Sequence, residues 1–251
     1  LLPYIGAMQV PAVIFGSVVT LLLVAGVLVV VSALRRRNRG EANLVEHGWQ
    51  RLPDDADVVP AWDGWPFRRA LEPGDARDVV VGHHLGARFM CLRWTQLEVD
   101  PGGGAADRGE RERYNIVALA TEHSYPHLTV VRGRHRIHRE RQHGPVTELE
   151  TGDARFDRRW QTLGDPEFGR AILTEEVRAV MDELDHAWVF QPGWVTRVVP
   201  WTFYAGEDRM LEELERLAAP LRAVPHEVWS RYGGAPRFLG VLGHGRAHPD
   251  V

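Results

Sequence analysis

Histidines and a single cysteine, Cys91, are the side chains of this 251-residue chain best suited to metal binding or nucleophilic chemistry. His83 and His84 are adjacent, His123 and His127 bracket Ser124-Tyr125-Pro126, and His135 and His138 lie within Arg134-His135-Arg136-Ile137-His138. A zinc site needs three or four such ligands converging at about 2.1 Å, usually backed by carboxylates. Residues three apart on a strand face opposite sides, so His135 and His138 would not converge there. Pro126 disfavours the helix that would place His123 and His127 on one face. Neither H-E-x-x-H nor a paired C-x-x-C is present, and the histidines read as surface residues, with no metal site. Cys91 falls in an apparent strand, where a buried, inert thiol is expected. There is no G-x-S-x-G elbow, and a chain without lysine has no standard P-loop. Gly102-Gly103-Gly104 lacks the strand-to-helix setting of a phosphate cradle. No catalytic residue and no cofactor site are assigned.

The elements that would position these groups follow from periodicity. Asp78-Val79-Val80-Val81 and Arg88–Val99 flank His83-His84-Leu85-Gly86, which reads as a hairpin turn. In the second strand Met90, Leu92 and Trp94 alternate with Cys91, Arg93 and Thr95, which predicts one buried face. Tyr114–Ala120 is nearly apolar throughout and suits the centre of a sheet. After Gly152 helical signals take over. Phe156 and Trp160 lie four apart, Asp165-Pro166 is a helix start, and Thr174 caps a helix with Val177, Val180, Met181 and Leu184 on one face. Ala187–Gln191 and Trp194–Trp201 read as strands joined across Pro192-Gly193. Glu207–Val224 is a longer helix with Met210, Leu211, Leu214, Leu217, Ala218 and Leu221 as its stripe, shortened or kinked by Pro220. Strands and helices are segregated, which predicts an α+β domain with a mainly antiparallel sheet packed against helices.

The N-terminus adds a second expectation. The run from Leu1 to Leu34 carries no charge and ends in Arg35-Arg36-Arg37-Asn38-Arg39. Its apolar part, Val10–Leu34, would at a rise of about 1.5 Å per residue cross a bilayer with some tilt. Arg35, Arg36, Arg37 and Arg39 behind it predict a single-pass protein of the cell membrane, N-terminus outside and C-terminal domain cytoplasmic. A cleaved signal peptide would have the opposite order, charge first and a shorter core. The chain starts without Met, so a few preceding residues are expected. The domain division expected is 1–34 for tail and transmembrane helix, 35–77 for a basic segment and irregular linker, 78–230 for the α+β domain, and 231–251 for a disordered tail.

Charge narrows the function classes. The four arginines contribute +4 to a formal net charge of −4, leaving −8 on the remainder, which argues against general nucleic-acid binding. All 30 basic residues are Arg, a composition that fits high-GC codon usage rather than ligand recognition. One cysteine cannot form an internal disulfide.

Several stretches carry a family resemblance: Gly82–Trp94, Tyr114–Leu119, Ala154-Arg155-Phe156-Asp157-Arg158-Arg159-Trp160, Asp165-Pro166-Glu167-Phe168 and Ala171-Ile172-Leu173-Thr174. Through them the chain resembles an uncharacterised actinobacterial family of single-pass membrane-anchored proteins, a domain of unknown function. The resemblance implies an N-terminal span before an α+β cytosolic domain. It implies no activity, since the family has none assigned.

Two surfaces fit partners. Arg132, Arg134 and Arg136 would share one strand face, a basic stripe suited to anionic lipid or an acidic partner. Trp188, Phe190, Trp194, Trp201, Phe203 and Tyr204 read mainly as core, with a hairpin tip lying at the membrane interface as the alternative. The candidate interaction surface is accordingly Arg132, Arg134, Arg136, Trp194 and Trp201. The leading expectation is a non-catalytic, membrane-anchored scaffold or accessory subunit, bound to lipid through its helix and to an unidentified protein, a membrane complex, through its domain. The alternatives are a membrane-tethered, hydrolase-like enzyme using His83, His84 and His123, and a small-ligand or lipid-binding module.

Overall fold

The structure is a computed structural model that describes residues 24–26, 44–54, 59, 62, 64–67, 74–97, 111–132, 147–184, 187–199 and 207–240. The chain divides into two compact units, Leu1–His47 and Gly48–Val251. In the first, Val24–Gly26 and Leu44–Glu46 are helical.

Among the described residues, the second unit is built on one antiparallel sheet of nine strands in the order β1-β2-β3-β4-β9-β8-β5-β7-β6. The strands are β1 (Gln50–Arg51), β2 (Asp75–His84), β3 (Ala87–Leu97), β4 (Arg111–Ala120), β5 (Leu128–Arg132), β6 (Thr147–Leu149), β7 (Trp160–Gly164), β8 (Trp188–Gln191) and β9 (Trp194–Val199). The helices are α1 (Ala154–Arg159), α2 (Pro166–Ile172), α3 (Glu175–Leu184), α4 (Glu207–Arg222), α5 (His226–Arg231) and α6 (Arg237–Gly240).

Local chemistry explains most of these elements. Leu85 and Gly86 have φ of 55° and 76°, so β2 and β3 are joined by a two-residue turn with both central residues left-handed. Pro192 precedes Gly193 at φ 71° in the β8–β9 turn, the order a type II turn requires. Asp165 caps α2 by accepting from the Phe168 N–H at 2.7 Å, with Pro166 in the first turn. Thr174 Oγ1 accepts from Val177 N–H at 3.4 Å at the head of α3. The α4 stripe is buried at Met210, Leu214, Leu217, Ala218 and Leu221, and Pro220 sits in its last turn.

Cross-strand register sorts the side chains into two faces. One carries Phe89, Cys91, Val117, Leu119, Val195, Phe190, Trp188, Leu128 and Val130. On this face α4 packs over β4 and β9, with α3 and α6 against α4. The other face carries Met90, Leu92, Trp94, Ile116 and Ala118, covered by Val59, Trp62 and Phe67. Trp65 packs beside them on Val131, Leu163 and Val189. Thus the segment expected as irregular linker has no regular element between β1 and β2 among its described residues, yet Val59, Trp62, Trp65, Pro66 and Phe67 within it are buried. Both faces of the central strands are therefore dry.

Three differences from expectation stand out. The α+β fold with an N-terminal transmembrane helix is corrected in its second half: no helix among the described residues is long and apolar enough to cross a membrane. Of Val10–Leu34 only Val24–Gly26 are described, and Arg35, Arg36, Arg37 and Arg39 lie outside the described residues. The physical reason is that apolar composition sets a tendency to leave water but not a backbone; crossing takes an unbroken helix of about 20 residues. The bilayer contact and the orientation drawn from that span lose their support with it. Second, Trp160 leaves the helix begun by Phe156 and opens β7, its indole N–H donating to Asp182 Oδ1 at 2.6 Å. Third, packed chain continues beyond Arg231: Phe238 is buried, and Tyr125 donates its hydroxyl to the Gly234 carbonyl at 2.7 Å.

Candidate functional site

The residues that sequence reasoning put forward are not gathered by the fold. His83 and His84 are successive on β2 and so face opposite sides of the sheet. His84 Nε2 lies 3.1 Å from Glu215 Oε1 on α4. His123, in the loop after β4, packs against Gly233 and Gly234 and beside Tyr125. His127 Nε2 lies 3.1 Å from Thr129 Oγ1. Among the described residues no group of three or more His, Cys, Asp or Glu is placed to hold a metal. His135 and His138 lie outside them.

Of the expected interaction surface, Arg134, Arg136 and Trp201 also lie outside the described residues, as do Phe203 and Tyr204. Arg132 ends β5 opposite Trp160, on the face that carries Leu128 and Val130. Trp194 opens β9 on the other face, paired with Ala120 and Gln191. Arg132 and Trp194 therefore do not share a surface.

Trp194 has a different neighbour. The cross-strand row at this end of the sheet runs His83–Arg88, then Ala120, then Trp194–Gln191. Ala120 is one residue beyond the last β3–β4 pair, Phe89–Leu119, and so stands opposite Arg88. Its methyl group leaves a shallow notch between two long side chains. Across it Arg88 reaches the Trp194 ring, its guanidinium carbon 5.8 Å from the ring centroid, within cation–π range. From below, Trp62 meets Trp194 edge-on at 5.6 Å, and Trp62 itself is fully buried. Trp194 is half-buried, Arg88 and His83 are exposed, and Arg88 makes no ion pair or hydrogen bond among the described residues. The result is an aromatic platform fixed by strand pairing, topped by an exposed guanidinium.

A second polar feature lies inside the fold, on the opposite face. Arg197 of β9 and Glu213 of α4 have side chains 3% and 0% exposed, with Arg197 NH2 3.0 Å from Glu213 Oε2. Arg209 NH2 also lies 3.0 Å from Glu213 Oε1, and Arg216 NH1 lies 3.6 Å from it. Arg209 and Arg216 both bond Glu212 on the outer side of α4. The Arg197–Glu213 approach lacks hydrogen-bond alignment, leaving Nε, NH1 and NH2 of Arg197 and both Glu213 oxygens without hydrogen bonds. Burial pushes the Arg197 guanidinium down to about 10, the Glu213 charge opposing this, so Arg197 stays cationic at neutral pH. Sequence reasoning missed the pair, although a signal exists. Glu213 is three residues after Met210, on the apolar stripe of α4, and Arg197 lies between the buried Val195 and Val199. A charge on each buried periodicity is the mark of an internal ion pair.

Cys91 lies in the same cross-strand row as Val117 and Arg197. It is buried; desolvation first, and the Glu213 charge second, push its thiol well above the ordinary range. The expected outcome is that Ellman's reagent fails to label the folded chain and labels it fully in guanidinium chloride. Rapid labelling without denaturant would refute a closed sheet–helix interface. With one cysteine in the chain, the assignment is unambiguous.

The cluster around Trp160 is structural. Arg159 NH1 donates to Asp182 Oδ2 at 2.7 Å, and Asp157 Oδ1 accepts from the Thr151 hydroxyl at 2.8 Å. Phe156 stacks on Trp160 at 5.8 Å. The Ala154–Trp160 motif thus ties α1 and β7 to α3.

No protein-family model matches the chain. No curated protein matches it either. Among solved structures, the crystal structure of the mycobacterial trehalose monomycolate transport factor A, TtfA, is similar with a TM-score of 0.48 and 12% identity, over 75% of this chain and 95% of that one.

Proposed function

We propose that the chain is a non-catalytic accessory protein whose α+β domain docks onto a partner protein at the hairpin end of its sheet. The observation that carries this reading is the Arg88–Trp194 platform. Trp and Arg dominate binding energy at interfaces, and most effectively when the ring is held in place before the partner arrives. Here strand register and the Trp62 contact hold it. Several groups with chemical potential are meanwhile engaged within the fold: His84 with Glu215, Asp182 with Trp160 and Arg159, Arg197 with Glu213. Membership of the uncharacterised actinobacterial family that the Ala154–Trp160 and Asp165–Thr174 stretches resemble is part of the same proposal.

The test is gentle detergent extraction of the tagged full chain from its native cells, with mass spectrometry of whatever co-elutes in stoichiometric amount. The expected result is a stable partner that is lost with Trp194→Ala. Trp194 also touches the core, so Arg88→Glu, which changes only an exposed side chain, serves as the second variant. A solitary wild-type protein would overturn the reading, as would a partner that survives both substitutions.

A further inference from the structure

Resting on that docking reading, we infer that the platform takes an acidic segment of the partner, one in which a carboxylate engages Arg88 and a neighbouring apolar side chain covers Trp194. The first argument is the state of Arg88. A guanidinium carries five donors in a planar fork that matches a carboxylate, and its contact with Trp194 is electrostatic rather than hydrogen-bonded. With no carboxylate paired to it among the described residues, its donors remain for a ligand.

The second argument is charge. Around the platform the carboxylates seen are already engaged. Glu122, in the loop after β4, accepts from the Arg237 N–H at 3.2 Å and lies 3.8 Å from its side chain. Glu215 lies beneath His84, and His84 faces away from Arg88 across the sheet. His83, directly opposite Arg88, adds a second exposed hydrogen-bonding side chain. This patch sits on a chain whose formal charge is −4 overall. An acidic segment is disfavoured by the net charge of the chain and favoured locally at the exposed Arg88, which helps to set where it binds.

The third argument is shape. Ala120 between Arg88 and Trp194 keeps the row low, so a side chain descending on Trp194 meets the ring and the stem of Arg88 together. A carboxylate and an apolar residue two positions apart on one strand-like segment lie on the same face and satisfy both.

The experiment uses the full chain and fluorescence anisotropy of a labelled peptide of Glu-Ser-Leu-Ser repeats, which carries glutamate and leucine on one strand face, against its isosteric glutamine counterpart. Phosphatidylcholine vesicles with and without phosphatidylglycerol form the third arm. The expected result is binding of the glutamate peptide alone, weakened at least about tenfold by Arg88→Ala, less by Arg88→Lys, and weakened by added salt. Equal binding of the two peptides, binding indifferent to Arg88→Ala, or retention on phosphatidylglycerol vesicles without peptide binding would each overturn it. The two readings fail separately. A co-purifying partner lost with Trp194→Ala but untouched by Arg88→Glu leaves docking standing and removes the acidic segment, whereas a solitary protein removes both.

Discussion

Replacing Glu213 by alanine is expected to lower the stability of the domain by roughly 3–5 kcal/mol, the loss that follows when one member of a buried ion pair is removed. The carboxylate is wholly buried and the Arg197 side chain 3% exposed, so no water replaces the lost partner. Arg197 would then sit charged between β4 and β8, under α4, with Arg209 and Arg216 adding repulsion instead of sharing a common anion. The same logic predicts that removing both charges costs far less. Glu213→Leu combined with Arg197→Met puts apolar side chains of similar length into a site already lined by Cys91, Val117 and Trp188, and should regain most of the loss. Urea unfolding of the single and double variants reads both quantities. A single-variant loss below about 1 kcal/mol would class the pair with exposed ones and refute the buried arrangement. A double variant as unstable as the single would show that the charges do more than cancel one another.

Gly164→Ala is expected to be nearly as damaging, costing about 3 kcal/mol or more, for a reason that involves no charge. Gly164 closes β7 and is paired on both sides, with Leu128 of β5 and Thr147 of β6. Its φ of 141° is one that L side chains rarely adopt, and an added Cβ would come within 2.2 Å of the His127 carbonyl oxygen and 2.9 Å of Leu128 Cα. Those are backbone atoms, so no rotamer change relieves the overlap; β5 must move away from β7. The adjoining bond from Asp165 N–H to the His127 carbonyl, 3.1 Å long, would be strained with it, and Asp165 is the cap of α2. Gly152, at φ 85° with open space around its Cβ position, is the control. Gly152→Ala should cost about 1–2 kcal/mol, the left-handed penalty alone. Equal denaturation midpoints for the two alanine variants would show that the close approach at Gly164 does not exist.

Much of the local structure was legible beforehand because its causes are short-range. Alternation of Met90, Leu92 and Trp94 with Cys91, Arg93 and Thr95 predicted β3, whereas the turn expected over His83-His84-Leu85-Gly86 narrows to Leu85-Gly86, the two left-handed residues, because His83 and His84 continue β2. Asp165-Pro166 and Thr174 placed the starts of α2 and α3, where a side-chain oxygen answers an unpaired N–H. The segregation of strands from helices indicated a large antiparallel sheet with helices packed on it. Errors arose where a local signal met a distant partner. Phe156 and Trp160 have helical spacing, but the Trp160 indole finds Asp182 and its backbone pairs with Arg132. Residues beyond Arg231 show no apolar period, yet Phe238 is buried and the segment is tied to Tyr125 and Glu122, residues more than a hundred positions away. An apolar run predicted a membrane helix that the described residues do not contain.

The candidate site was hidden for a related reason. Trp194 was singled out as an aromatic on a hairpin, but the arginine stripe proposed to accompany it begins with Arg132 on the opposite face. Its actual companion, Arg88, had no distinguishing pattern. Sequence periodicity, turns and caps indicated β3, β4, β8 and β9, the starts of α2 and α3 and the apolar stripe of α4, because those choices depend on residues a few positions apart. The order β4-β9-β8-β5 was decided only in three dimensions, when β9 paired with β4 and β8 with β5. That pairing laid Arg88 beside Trp194 and carried Arg197 under Glu213. Such juxtapositions depend on burying two faces of one sheet at once, a condition the whole chain satisfies and no short window of it contains.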